Sequence, residues 1–167
     1  MEYLWAASVT AMLARTWIWQ IVMYLFLLYG CCRLPFSAFS KIRPWIVIAL
    51  GICIAARFVP QALGVERLVV WIQSLLYFWI WYQCLRGIRE LEGIYGNLNE
   101  RAIRSACWTE LVLAVLLVCG LSIAPWFDKM IPSALILLQT WKAYLLYGCH
   151  RNYEIRRKQL AGLTDCA

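Results

Sequence analysis

Long apolar runs alternate along the chain with short stretches where polar residues and prolines collect. A helix crossing about 30 Å of hydrocarbon needs about 20 mostly apolar residues, because it rises about 1.5 Å per residue. Five runs meet that length: residues 13–32, 45–63, 65–85, 105–126 and 131–149. A further apolar run, residues 3–13, either extends the first span or forms a separate interfacial helix. Pro44, Pro60, Pro125 and Pro132 fall at the ends of the runs, where a missing amide donor costs least.

The connecting segments differ in charge. Residues 33–43 hold Arg33, Lys41 and Arg43, residues 86–104 hold four Arg, and the tail, residues 150–167, holds Arg151, Arg156, Arg157 and Lys158. The intervening turns are nearly bare of basic residues. Cytoplasmic loops carry the excess of Lys and Arg, so the pattern predicts an N-terminus outside, a C-terminus inside and five spans. Residues 1–167 thus read as one transmembrane domain: an all-α, polytopic integral membrane helical bundle, multi-pass in the cell membrane. Glu2 stands where a basic signal-peptide n-region would begin, so the first apolar run is expected to stay in the mature protein.

Composition strengthens this reading. Hydrophobic residues make up 63% of the chain and charged residues 15%, against about 25% charged in soluble domains. Mean hydropathy is +0.66. A soluble core, a disordered tail and a disulfide-stapled secreted domain are excluded. The net charge of +7 follows the loops, and no basic face stands apart from the helix ends, so nucleic acid is not an expected partner. The lipid bilayer is, and the basic tail can lie against anionic head groups.

One pattern occurs at three predicted cytoplasmic helix ends. Tyr29, Cys31 and Arg33, then Tyr82, Cys84 and Arg86, then Tyr147, Cys149 and Arg151 each fit Tyr-x-Cys-x-Arg. Interface chemistry explains the Tyr and Arg but not the Cys. Two explanations stand: convergent interfacial residues, or a duplicated hairpin whose first copy has lost or shortened its leading helix. Gln20, Gln73 and Gln139 precede these motifs near mid-span. Eleven residues separate Gln20 from Cys31, Gln73 from Cys84 and Gln139 from His150, close to three turns, so each pair shares a face. Amides in hydrocarbon act as glue between helices or line a path.

Four ionisable residues fall within the predicted spans: Arg15, Arg57, Glu110 and Lys142. Glu110 and Lys142 lie at similar depth on adjacent antiparallel helices, and an ion pair is expected, either fixing their packing or holding a proton or ion. Arg15 and Arg57 sit in the outer half and either snorkel or form an outward-facing basic pocket for an anionic group, with Glu66 or Asp128 as competing partners.

Eight cysteines raise redox and metal chemistry, but no Cys-x-x-Cys occurs and there is a single His. Convergence of Cys31, Cys84, Cys149 and His150 on a soft metal is an alternative to small apolar filler, as is juxtamembrane acylation. No metal or cofactor is expected. Residues 86–104 space Ile88, Leu91, Tyr95, Leu98 and Ala102 at helical intervals, predicting a cytoplasmic amphipathic helix for the membrane surface, a partner or a second copy.

No phosphate loop, dinucleotide turn, metalloprotease motif or serine elbow is present, and catalysis is not expected. Two functions remain open. One is a non-catalytic membrane subunit acting through helix packing with partner proteins or copies of itself. The other is a small oligomeric transporter or channel lined by the mid-span Gln residues and the Glu110–Lys142 pair.

Overall fold

The computed structural model describes residues 1–12, 17–34, 37–58, 65–95, 99–120 and 127–164, with side chains omitted at 12, 65–67, 95, 117–120, 127–135, 157 and 159–164. Arg15 therefore lies outside the described residues, as do the side chains of Glu66 and Asp128. Among the described residues the fold is all-helical, with six helices and no strand: α1 (Glu2–Met12), α2 (Trp17–Arg33), α3 (Ser37–Ala55), α4 (Val65–Tyr95), α5 (Glu100–Gly120) and α6 (Phe127–Thr164). Two stretches within them, Ser37–Ala55 and Leu68–Ile94, are long and apolar enough to cross a bilayer, with mean hydropathies of 1.6 and 1.4. α2 is apolar but stops at 17 residues.

Each helix packs on its sequence neighbours, and α1 closes the arrangement against α6. Trp5 meets Tyr147 at 6.1 Å between rings, and Glu2 lies 3.8 Å from His150, so α1 runs antiparallel to that part of α6. Tyr3 stands edge-on to Tyr29 at 4.5 Å. Leu27, Cys31, Ile46, Trp81, Leu85, Ile88 and Leu146 are among the buried residues that make one continuous core.

The first run corrects the expected topology. The described part of that run, within α1 (Glu2–Met12), does not continue α2; α1 lies antiparallel to α2 and brings Met1 and Glu2 to the end that carries Arg33, Arg86 and Arg151. An N-terminus opposite those arginines is thereby replaced by one beside them. The reason is local. Gly30 leaves a notch: a Cβ there would meet Leu4 at 3.1 Å and Tyr3 Cβ at 3.2 Å. Leu4 and Ala7 are fully buried in consequence. The polar residues of α1 satisfy themselves, Ser8 donating to Trp5 O at 2.8 Å and Thr10 to Ala7 O at 2.9 Å, so they too can be buried.

Two boundaries also move. α3 begins at Ser37 rather than near residue 45, and Pro44 lies inside it. A hydropathy window sees only the apolar part of a helix, whereas the backbone ladder starts in the polar margin. Arg43, in that margin, donates to Cys31 O at 2.9 Å and so satisfies a carbonyl of the last turn of α2. Residues 86–104 do not form one amphipathic helix. α4 ends at Tyr95 and α5 starts at Glu100, with Asn99 O accepting from Ile103 N at 2.9 Å. Ile88 and Leu91 from the one helix, and Ile103 and Ala106 from the other, are buried in this chain's own core.

Candidate functional site

The charges inside the bundle are met by three helices. α6 presents Gln139 and Lys142 one turn apart, α4 presents Tyr77 and Trp81 one turn apart, and α5 supplies Glu110. Lys142 Nζ pairs with Glu110 Oε1, and both side chains are 0% exposed. The ammonium also stands 4.2 Å from the centroid of the Trp81 ring and 5.4 Å from that of Tyr77. Gln139 Nε2 donates to the Tyr77 hydroxyl, linking α6 to α4 a turn away.

This arrangement offsets the cost of burial. An ion pair in low dielectric survives only where geometry is good and further groups satisfy its charges. Here two aromatic faces supply the second half of the ammonium's environment, an attraction that strengthens on desolvation. Glu110 Oε2 and Gln139 Oε1 are buried with no hydrogen-bond partner among the described residues.

The spacing argument therefore brought Glu110, Lys142 and Gln139 into one region, but not Gln20. Gln20 Oε1 accepts from Cys53 Sγ at 3.5 Å, which joins α2 to α3 instead. Gln73 is half-buried on α4, one turn before Tyr77. Tyr77 and Trp81 were missed because aromatic residues are numerous here. Their signal was available: spaced by four, they continue the face that begins at Gln73.

The three Tyr-x-Cys-x-Arg motifs end α2, the core-facing part of α4 and the central part of α6, and each places Cys inward and Arg outward. Cys31, Cys84 and Cys149 are buried, whereas Arg33, Arg86 and Arg151 are exposed. At the first motif Arg33 donates to the Tyr29 hydroxyl at 2.7 Å, the expected neighbour four residues along a helix. The cysteines part company: Cys84 lies against Cys31, while Cys149 Sγ accepts from Asn99 Nδ2 at 3.7 Å. His150 faces Glu2. Among the described residues no three Cys, His or acidic side chains converge as a metal site would require. Arg57 is exposed, its guanidinium 5.4 Å from the Trp17 ring centroid, on the far side of the bundle from Arg33.

At the basic end α4 and α5 are tied together. Glu100 Oε1 accepts from Arg89 at 3.0 Å and from Arg104 at 2.8 Å. Those two guanidinium groups hold the Glu100 carboxyl below its ordinary value, Arg104 contributing most. Comparison of the chain with known families, curated proteins and solved structures finds no match.

Proposed function

We propose that this chain is a multi-pass membrane helical bundle that acts without catalysis, through helix packing with partner proteins or copies of itself. The observation that carries the reading is an inverted distribution of polarity. Glu110 and Lys142 are fully enclosed, while Phe58, Leu68, Trp108, Val115 and Leu137 point outward with more than half their surface exposed. Water would penalise that exterior, whereas hydrocarbon is its natural solvent. With the basic loops at the cytoplasmic face, Met1 and the α6 tail both lie inside. α1 rises only about 16 Å over its 11 residues, so it enters from the cytoplasmic side and stops part-way.

The scaffold reading draws on how the mid-bundle polar groups are used. Lys142 with Glu110, Gln139 with Tyr77 and Gln20 with Cys53 each join one helix to another, as glue does. A second reading, a small oligomeric transporter, draws on the unpartnered Glu110 Oε2 and Gln139 Oε1, two buried acceptors open to a proton or ion. Liposome flux separates the two. The scaffold reading expects no saturable flux of labelled ions or solutes; saturable flux that disappears in both Lys142→Met and Gln73→Leu overturns it. Epitope tags at either end, probed in intact cells, are expected to stay unlabelled, and an N-terminal tag reached from outside overturns the hairpin topology.

A further inference from the structure

The groove between α4 and α5 at the basic end has guanidinium donors beyond those that the Glu100 tie uses. It measures about 300 Å3 and is lined by Tyr82, Arg86, Arg89, Arg104, Trp108 and Leu111. The two helices are antiparallel, so both walls change character in the same order with depth. On α4 the sequence from mouth to interior is Arg89, Arg86, Tyr82; on α5 it is Arg104, Trp108, Leu111. From Arg104 to Leu111 the helix descends about 10 Å. Guanidinium groups stand at the mouth, amphipathic rings one turn below, and aliphatic surface beneath.

We infer that this groove binds one anionic phospholipid, its phosphate among Arg86, Arg89 and Arg104 and an acyl chain along Trp108 and Leu111. The order of the walls matches the order of charge, carbonyl and hydrocarbon along such a lipid. Arg suits phosphate because its planar fork donates two parallel hydrogen bonds. Glu100 uses one nitrogen from each of Arg89 and Arg104, which orients them and leaves their remaining donors available. Glu90, 3.9 Å from Arg86, is the competing carboxylate there and lies beyond ordinary hydrogen-bond distance. No carboxylate lines the groove itself among the described residues. Trp108 is 63% exposed, a large ring left open to an occupant.

The inference rests on the membrane reading, and its test keeps the two apart. The detergent-solubilised full chain is offered equal dioleoyl phosphatidylglycerol and dioleoyl phosphatidylcholine, and retained lipid is counted by native mass spectrometry. The expected result is a preference of roughly tenfold for the anionic lipid, falling to near parity in Arg86→Gln/Arg104→Gln and unchanged in Arg156→Gln/Lys158→Gln. Parity in the wild type, or a preference carried by the tail residues, overturns the site. Displacement by excess inorganic phosphate overturns the lipid as occupant in favour of a free anion. A readout without arginine variants uses brominated lipids: extra quenching by the anionic one is expected in the wild type and absent in Trp108→Phe, and equal quenching in both overturns the site. A chain that stays dispersed in buffer without detergent overturns the membrane reading itself; detergent dependence with lipid parity overturns the groove alone.

Discussion

The two sides of the bundle are held by different chemistry. Across α1, α2, α3 and the C-terminal part of α4, helices approach closely mainly on apolar and small residues, with Gly30 under Leu4 and Gly87 under Phe39, where a Cβ would lie 3.1 Å from the ring. Across α4, α5 and α6 directed polar pairs are added to the apolar packing: Lys142 with Glu110, Gln139 with Tyr77, and Glu100 with two arginines. The ion pair joins α5 to α6. In lipid, apolar surface gains little from meeting other apolar surface, so helices associate either by close shape or by bonds that hydrocarbon cannot supply. One side uses shape, which tolerates small adjustments. The other uses directed pairs, which fix a register and fail when one member is lost.

Removing one member is therefore the sharpest way to break the contrast. Lys142→Met strands the Glu110 carboxylate in the bundle interior and is expected to cost about 3–5 kcal/mol, read as unfolding in mixed detergent followed by helical circular dichroism. Adding Glu110→Gln should recover most of that loss; a double variant as unstable as the single one would mean that the ring contacts, not the charge, hold the helix. On the shape side, Gly30→Val drives two methyl groups into Leu4 and Tyr3 and is expected to cost about 1–3 kcal/mol in the same assay. That loss should be graded, with Gly30→Ala intermediate, and equal effects from Ala and Val would contradict shape as the cause. The smallest effect is acid-dependent. Arg104 and Arg89 keep the Glu100 pKa below its unfolded value of about 4.3, so the tie is fully present above that pH. It weakens as pH falls through the lower folded value. The wild type should thus lose thermal midpoint between pH 6 and pH 3 by slightly more than Glu100→Gln does, and identical losses would remove Glu100 from the account.

Particular residues show how far the chain could be read in advance. The Glu110–Lys142 pair was legible because two opposite charges at matched depth on neighbouring helices have few other ways to be satisfied. The basic positions were legible as one end of the bundle for a similar reason: arginine has a single comfortable place near hydrocarbon. α1 was not. Its fate turned on a notch at Gly30, which sets how near a second backbone can come and leaves no mark in hydropathy. Gln20 and Gln139 shared spacing but not partners, since equal depth on different helices says nothing of which faces turn toward one another. Tyr77 and Trp81 belong to the same lesson: a ring becomes part of a charge's environment only when another helix delivers the charge to its face.

Linear order, then, was enough to specify helices, their apolar exterior and the end at which arginines gather, because solvent preference and helical period act residue by residue along the chain. Pairings between helices came only with the tertiary structure. They depend on rotation and approach distance, quantities set jointly by several helices, and so Gln20 met Cys53, Gln139 met Tyr77, and the first eleven-residue helix folded back to stand beside α6.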